Sequence, residues 1–234
     1  MLATTEGIVL RVLKYGESSI ITDILTKEYG FRSYIMNGVR KSKKSKAAFF
    51  QPMNCVELVV YHRIDKDLNR IKEIRMAHIY QSIPLEIIKS SIGSFIIECA
   101  YQIAKGGEQL DIYEILSEYL LLLDEAPDRY HNLHIDFLGR LIGTLGLIPE
   151  LNYTQQTPCL VIKDGFFSDA NHPKALNSDV SADIYSVFEY KKTPEGMDRT
   201  RRKRIIEALI LYISYHIPEF KTPNSYSILS EILG

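Results

Sequence analysis

A short basic stretch is the part of this 234-residue sequence whose residue types most clearly suggest an interaction. Five of the seven residues from 40 to 46 are Lys or Arg, and the next acidic residue is Glu57. Cationic side chains at this density can neutralise the phosphates of a nucleic acid. A solvated loop without a binding role is the alternative. We predict nucleic-acid contacts for the five basic residues of this loop: Arg40, Lys41, Lys43, Lys44 and Lys46.

The charge is unevenly distributed along the chain, although the net charge is only −1. Residues 1–80 carry 14 Lys and Arg against 8 Asp and Glu, whereas residues 81–137 carry 3 against 10. Residues 138–234 are balanced, with 11 of each. Such segregation indicates a polyanionic partner for the first third of the chain and argues against one for the acidic middle.

Other residues extend this candidate surface. Tyr34 alternates with an arginine and a methionine in one predicted strand, so we predict that it stacks on a base, with a half-buried strand tyrosine as the alternative. Basic residues of the predicted strands that are expected to contact phosphates are Lys14, Arg32, Arg63, Arg70 and Lys72. A second basic cluster, which could continue the surface or be a solvated helix start, comprises Arg199, Arg201, Arg202, Lys203 and Arg204.

Signatures of enzymes and metal sites are missing from the sequence. It contains no P-loop, no dinucleotide-binding glycine motif, no GxSxG and no HExxH. His131 and His134 beside Asp136 could imitate a metal cluster, but a polar helix start explains them more simply. Cys159 and His172 provide only two ligands, and two ligands do not make a zinc site. We therefore predict that the protein is not an enzyme and holds neither a cofactor nor a metal.

The elements that must position these residues can be read from the hydrophobic pattern. Strands are predicted at 4–15, 18–27, 31–39, 55–63 and 69–80, separated by Gly, Ser and Asp turns. Five short strands favour a closed barrel of the OB type, since a flat sheet would expose two edges. Helices are predicted at 84–105, 111–125, 132–149, 178–190, 198–217 and 224–234. Pro84 is expected in the first turn of the first helix, and Asp111 could cap the second helix. Ser178 is expected to cap the fourth helix, and the fifth is expected to begin at Asp198.

These elements predict an α+β fold of two domains. An N-terminal five-stranded OB-fold domain is expected at 1–80, followed by an all-helical C-terminal domain at 81–234. A small irregular insertion with a hairpin is expected in the helical domain at about 150–177, because this segment lacks helical periodicity and contains Pro and Gly.

The N-terminal residues resemble the RecO family of bacterial recombinational repair proteins. The resemblance rests on residues 7–10 (GIVL), 15–18 (YGES), 26–30 (TKEYG) and 38–41 (GVRK), and it is looser over 150–195. It implies an OB-fold domain followed by a helical domain. It also implies a recombination mediator that binds single- and double-stranded DNA and anneals complementary strands. Such a protein works with RecR and RecF to load RecA onto single strands coated by single-stranded-DNA-binding protein.

The resemblance further implies partners and one departure from the family, while the missing signal-peptide pattern and apolar span predict a location. An apolar groove with basic groups in the helical domain would bind the acidic C-terminal tail of the coating protein, and Arg140 is predicted to contact that tail. Some family members carry a four-cysteine zinc site, of which only Cys159 remains here, so Phe166 and Phe167 are expected to hold that loop by packing. The expected location is the cytoplasm, in association with the nucleoid and not with a membrane. The alternative function is an OB-fold protein-interaction adaptor that does not bind nucleic acid directly.

Overall fold

A closed five-stranded barrel forms the first part of the structure, a computed structural model that describes residues 1–39, 46–63, 66–107 and 111–233. The strands are β1 (Leu2–Tyr15), β2 (Ser19–Thr26), β3 (Gly30–Met36), β4 (Cys55–Tyr61) and β5 (Leu68–His78). Their order is β1-β2-β3-β5-β4, with β4 pairing back to β1. Only the pairing of β3 with β5 is parallel. The predicted OB-type barrel is confirmed.

The long strand β1 closes the barrel because it pairs with two neighbours. Its first half runs antiparallel to β4, and its second half runs antiparallel to β2. The register with β2 shifts between Val9 and Arg11, and such a bulge bends a strand and increases its twist. Side chains of alternating residues fill the interior, among them Val9, Ile24 and Leu58, each with no exposed surface.

Two helices belong to the same compact unit as the barrel, which we call the barrel unit (Met1–Glu125). They are α1 (Ile87–Ala104) and α2 (Asp111–Glu125). The first begins three residues later than Pro84 predicts, because the Asp124 carboxylate accepts hydrogen bonds at 2.8–2.9 Å from the backbone N–H groups of residues 81–83. These bonds hold that segment in a turn. The predicted boundary at residue 80 stays a prediction, while compactness divides the chain after Glu125.

The remaining residues form the second compact unit, which we call the helical unit (Ala126–Gly234). Its helices are α3 (Leu133–Thr144), α4 (Ser178–Glu189), α5 (Arg199–His216) and α6 (Ser225–Leu233). The predicted hairpin is present as β6 (Cys159–Val161) and β7 (Phe166–Ser168). A short 3-10 helix (Tyr130–Asn132) precedes α3.

Three details of the helical unit correct or confirm the predicted helix ends. The helix predicted at 132–149, with Gly146 and Pro149 as its end signals, is shorter. α3 ends at Thr144, and Gly146 follows with a φ of 69°, which does not continue a helix. Asn177, and not Ser178, caps α4, because its side chain accepts a hydrogen bond from the Asp179 N–H at 2.8 Å. The start predicted for α5 is confirmed, since Asp198 directly precedes it and caps it by accepting a hydrogen bond from the backbone N–H of residue 201 at 2.7 Å.

Close packing holds the helices and the hairpin of this unit together. A Cβ at Gly139 of α3 would lie 2.5 Å from the Val187 side chain of α4, so only glycine permits this approach. Phe167 of the hairpin is buried and lies edge-on to Tyr153 and Tyr185, as the predicted packing of this loop requires. None of the helices in the described part of the chain is long and apolar enough to cross a membrane.

Candidate nucleic-acid interface

The outer wall and ends of the barrel expose several of the predicted cations. Arg70 of β5 lies between Ile35 of β3 and Tyr61 of β4 in the strand register, and its side chain is exposed. Of the predicted barrel cations, those that are exposed and form no ion pair with any acid among the described residues are Lys14, Lys46, Arg63 and Arg70. These four residues, which we call the free barrel cations, are available to an anionic partner.

Two further cations of β5 are engaged by acidic neighbours. The Lys72 ammonium lies 3.3 Å from the Glu73 carboxylate. Arg75, which sequence reasoning did not select, donates two hydrogen bonds of 2.7 Å to Glu57 on β4. The hydrogen bonds from Arg75 lower the pKa of Glu57, which therefore stays ionised and keeps the arginine engaged.

The prediction that Tyr34 stacks on a base is wrong. Tyr34 has no exposed surface and lies in the barrel core, where its strand position faces Thr22. Burial raises the pKa of Tyr34 to about 12. Tyr34 and Met36 do lie on one face of β3, as the predicted alternation requires, but this face points into the barrel interior.

Arg32 lies on the same interior side of β3 as Tyr34, because strand side chains alternate. It is half-buried, and its Nη1 donates a hydrogen bond of 2.9 Å to the Phe31 carbonyl. Burial, with a smaller contribution from Arg32, lowers the pKa of His62, whose ring stacks on Tyr29 at 4.0 Å. Arg32 therefore does not join the exposed cations on the outside of the barrel.

The basic loop lies mostly outside the described residues, and its predicted contacts stay predictions for Arg40, Lys41, Lys43 and Lys44. Its last member, Lys46, begins a short 3-10 helix (Lys46–Phe50). Phe50 at the end of this helix is buried in the barrel core. The C-terminal end of the loop is thus anchored to the barrel.

The second basic cluster is divided between different surroundings at the start of α5. Arg201 donates two hydrogen bonds to the buried Asp183 of α4, one of them from Nε at 2.7 Å. Arg204 borders the same depression as Asp179, Asp183 and Asp198. These two arginines therefore face an acidic environment, and Arg201 has a structural partner. The predicted continuity of this cluster with the barrel surface stays a prediction.

The other three members of the cluster border a different cleft, whose remaining lining residues are mostly apolar. The basic cleft, as we call it, is lined by His134, Arg199, Arg202, Lys203, Ile206, Tyr226, Leu229, Ser230 and Leu233. Burial lowers the pKa of Arg202, and its Nε and Nη1 find no hydrogen-bond partner in the described part of the chain. Burial also lowers the pKa of His134 to about 3, so this imidazole is neutral at pH 7. Arg140 is exposed on α3 but does not belong to the lining.

Sequence reasoning missed two features of these surfaces. One is Tyr61, which is 47 % exposed on β4 beside Arg70; it alternates with the buried Val60, and this alternation was visible in the sequence. The other is the apolar lining that α6 adds to the basic cleft, which its amphipathic sequence could have indicated. Within the described residues, no three His, Cys, Asp or Glu side chains lie close enough together to hold a metal ion.

Comparison with known proteins agrees with this architecture. Residues 1–80 match the protein family described as "Recombination protein O N terminal". Relatives named DNA repair protein RecO include one from Christiangramia forsetii, 30% identical over 244 residues, and one from Bacteroides fragilis, 30% identical over 241 residues. A third, from Flavobacterium psychrophilum, is 29% identical over 235 residues. The alignments cover 98–100% of this chain and of each relative. The chain therefore belongs to the RecO family of DNA repair proteins.

Proposed function

We propose that this RecO-family DNA repair protein binds single- and double-stranded DNA and anneals complementary strands. The observation that carries the proposal is the set of free barrel cations, which are exposed on the barrel without acidic partners among the described residues. Phosphate contacts from Lys and Arg supply most of the affinity of sequence-independent DNA binding. An OB-type barrel is a common scaffold for such contacts.

The proposed annealing mechanism is physical, and it assigns no catalytic residue. Two complementary strands repel each other through their phosphates before base pairing can hold them together. Cations that neutralise phosphates of both strands reduce this repulsion and release condensed counterions. Since the proposed contacts are made to the backbone, the bases remain able to pair.

The proposed partners extend this role in recombination. We propose that the basic cleft binds the C-terminal tail of single-stranded-DNA-binding protein. Lys203 and Arg199 suit the acidic residues of such a tail, and Ile206 and Leu229 suit its apolar end. Because Arg140 lies outside this lining, the predicted tail contact is reassigned to the cleft. Cooperation with RecR in loading RecA onto coated strands rests on family membership.

Binding to a dye-labelled oligo(dT) across a salt series tests the proposed DNA contacts. Replacing the five basic loop residues from Arg40 to Lys46 with Gln should weaken binding and reduce the slope of log affinity against log salt by up to about 3.5, since each lost phosphate contact reduces it by about 0.7. Replacing only Arg63 and Arg70 should reduce the slope by about 1.4. The annealing rate of complementary oligonucleotides should fall in the same order.

A matched control replaces an acid-paired cation together with its partner. The double variant Glu57→Gln, Arg75→Gln leaves the net charge unchanged and should keep the affinity within about twofold, because Arg75 is already engaged. The adaptor function without DNA contact would gain support if the unaltered protein showed no salt-dependent DNA binding. Equal losses in the control and in the Arg63, Arg70 variant would contradict the assignment of the free barrel cations.

A further inference from the structure

A row of outward-facing side chains crosses every strand of the barrel. The strand register aligns them in five successive pairs, from one end of β1 across β2, β3, β5 and β4 to the other end of β1. In that order the members of this outer row are Leu13, Ile21, Ile35, Arg70, Tyr61 and Leu2. Because the barrel is closed, the row winds once round it, and only neighbouring members share one side of the barrel.

Apart from Arg70, the residues of the outer row are apolar, but none of them is fully buried. Leu13, Tyr61 and Leu2 keep 42 %, 47 % and 49 % of their surface exposed, and Arg70 is exposed as well. The barrel interior is filled by the alternate residues of the same strands, such as Val60 and Ile71. The exposed residues of the outer row are therefore not needed to fill the barrel core. An exposed aromatic ring beside an arginine that has no acidic partner among the described residues requires another explanation.

We infer that a single DNA strand crosses the outer row where Tyr61 of β4 adjoins Arg70 of β5, with Tyr61 stacking on a base and Arg70 contacting the adjacent backbone. The inference rests on the proposed function and adds a binding residue to it. Aromatic rings stack on any base, and cations beside them bind the phosphates, which together give binding without sequence preference. A duplex hides the faces of its bases, so only a single strand can use Tyr61 in this way.

Charge favours DNA over an apolar protein surface as the occupant of this row. Arg70 lies in the row between Ile35 and Tyr61 and has no acidic partner within the described residues, so an apolar partner would bury an unpaired charge. The exposed Arg63 lies two residues beyond Tyr61. Residues 1–80 as a whole carry an excess of six positive charges. A polyanion with exposed apolar rings fits this surface, and the bases and phosphates of a single strand have both properties.

The absence of tryptophan from the chain provides a direct test. Tyr61→Trp places a single fluorophore in the outer row, and its emission should be quenched when oligo(dT) binds, because stacking on a base quenches an indole. A blunt duplex of the same length should leave the emission nearly unchanged. The matched control is Tyr215→Trp on α5, whose tyrosine is similarly exposed, at 53 %. Its emission should not respond to either DNA.

Affinity measurements separate stacking from charge. Tyr61→Ala should weaken oligo(dT) binding about tenfold, whereas Tyr61→Phe should stay within about twofold of the unaltered protein. The salt slope should be the same in all three, since no charge is removed. The inference would be overturned if the Tyr61→Trp emission were not quenched and Tyr61→Ala kept full affinity, in a protein that still binds DNA in a salt-dependent manner. That result would leave the proposed function intact. If the unaltered protein binds no DNA, both fail.

Discussion

The basic residues of the barrel unit and those of the helical unit are organised in opposite ways. Arg63 and Arg70 are distant from Lys14 in the sequence, yet all three are exposed on one barrel without acidic partners among the described residues. The second cluster is nearly continuous in the sequence, from Arg199 to Arg204, yet the structure divides it between an acidic depression and the basic cleft. Proximity in sequence therefore does not decide whether basic residues share the same surroundings.

The difference follows from the geometry of the two kinds of element. Consecutive residues of a helix are rotated by about 100°, so six of them point in all directions and cannot form one patch. A strand alternates between two directions only, and register aligns side chains of neighbouring strands into rows. A basic run at the start of a helix is consequently weak evidence for a binding surface. A single cation that register aligns with exposed side chains of a neighbouring strand, as Arg70 is aligned with Tyr61, is stronger evidence.

The largest expected effect tests whether Arg201 is a structural residue. Arg201→Met leaves the Asp183 carboxylate, which is 3 % exposed, without its cation. Removing one partner of a fully buried ion pair costs about 3–5 kcal/mol, and the half-exposed arginine reduces this to about 2 kcal/mol. The free energy of unfolding, measured by urea denaturation with circular dichroism, should fall by that amount.

Two observations complete this test. The double variant Asp183→Asn, Arg201→Met should recover part of the lost stability, because no buried charge remains unpaired. Affinity for oligo(dT), measured well below the unfolding transition, should not change. Weaker DNA binding at unchanged stability would instead place Arg201 on a DNA-binding surface and weaken the contrast between the two units.

Much of this organisation was predictable because it depends on local patterns. Alternation located all five strands, and the Asp198 cap marked the start of α5. Which side of each strand faces the barrel interior was harder to predict. Tyr34 and Tyr61 both alternate with apolar residues, and only closure of the barrel decides which side is buried. The Asp183 partner of Arg201 was not predictable, because the bond joins residues that are 18 positions apart in the sequence and lie on two different helices. The basic cleft was not predictable either, because it forms only where α6 packs against α5.

A smaller effect is expected at the basic cleft, where adjacent residues of α5 face different surroundings. Lys203→Glu should weaken binding of a peptide copied from the C-terminus of the single-stranded-DNA-binding protein about tenfold, because it reverses a charge in the cleft lining. Arg204→Glu changes the net charge equally but borders the acidic depression, so its effect should stay within about twofold. Fluorescence anisotropy of the labelled peptide with the full chain measures both. Equal losses would indicate a general charge effect and remove the support for the cleft.

The smallest effect is expected on the barrel wall, where one acid engages a cation as Asp183 does in the helical unit. Glu57→Gln should free the exposed Arg75 and remove a negative charge, so oligo(dT) binding should strengthen about threefold at about 0.02 M salt.

Glu57 lies four residues from Tyr61 on β4, about 13 Å along the strand. The Debye length is about 10 Å at 0.1 M salt, so an effect acting through space should disappear above that concentration. A gain that persists at about 0.2 M, with a slope steeper by about 0.7, would instead mean that Arg75 contacts a phosphate. The DNA path would then continue from the outer row onto the wall of β4 and β5.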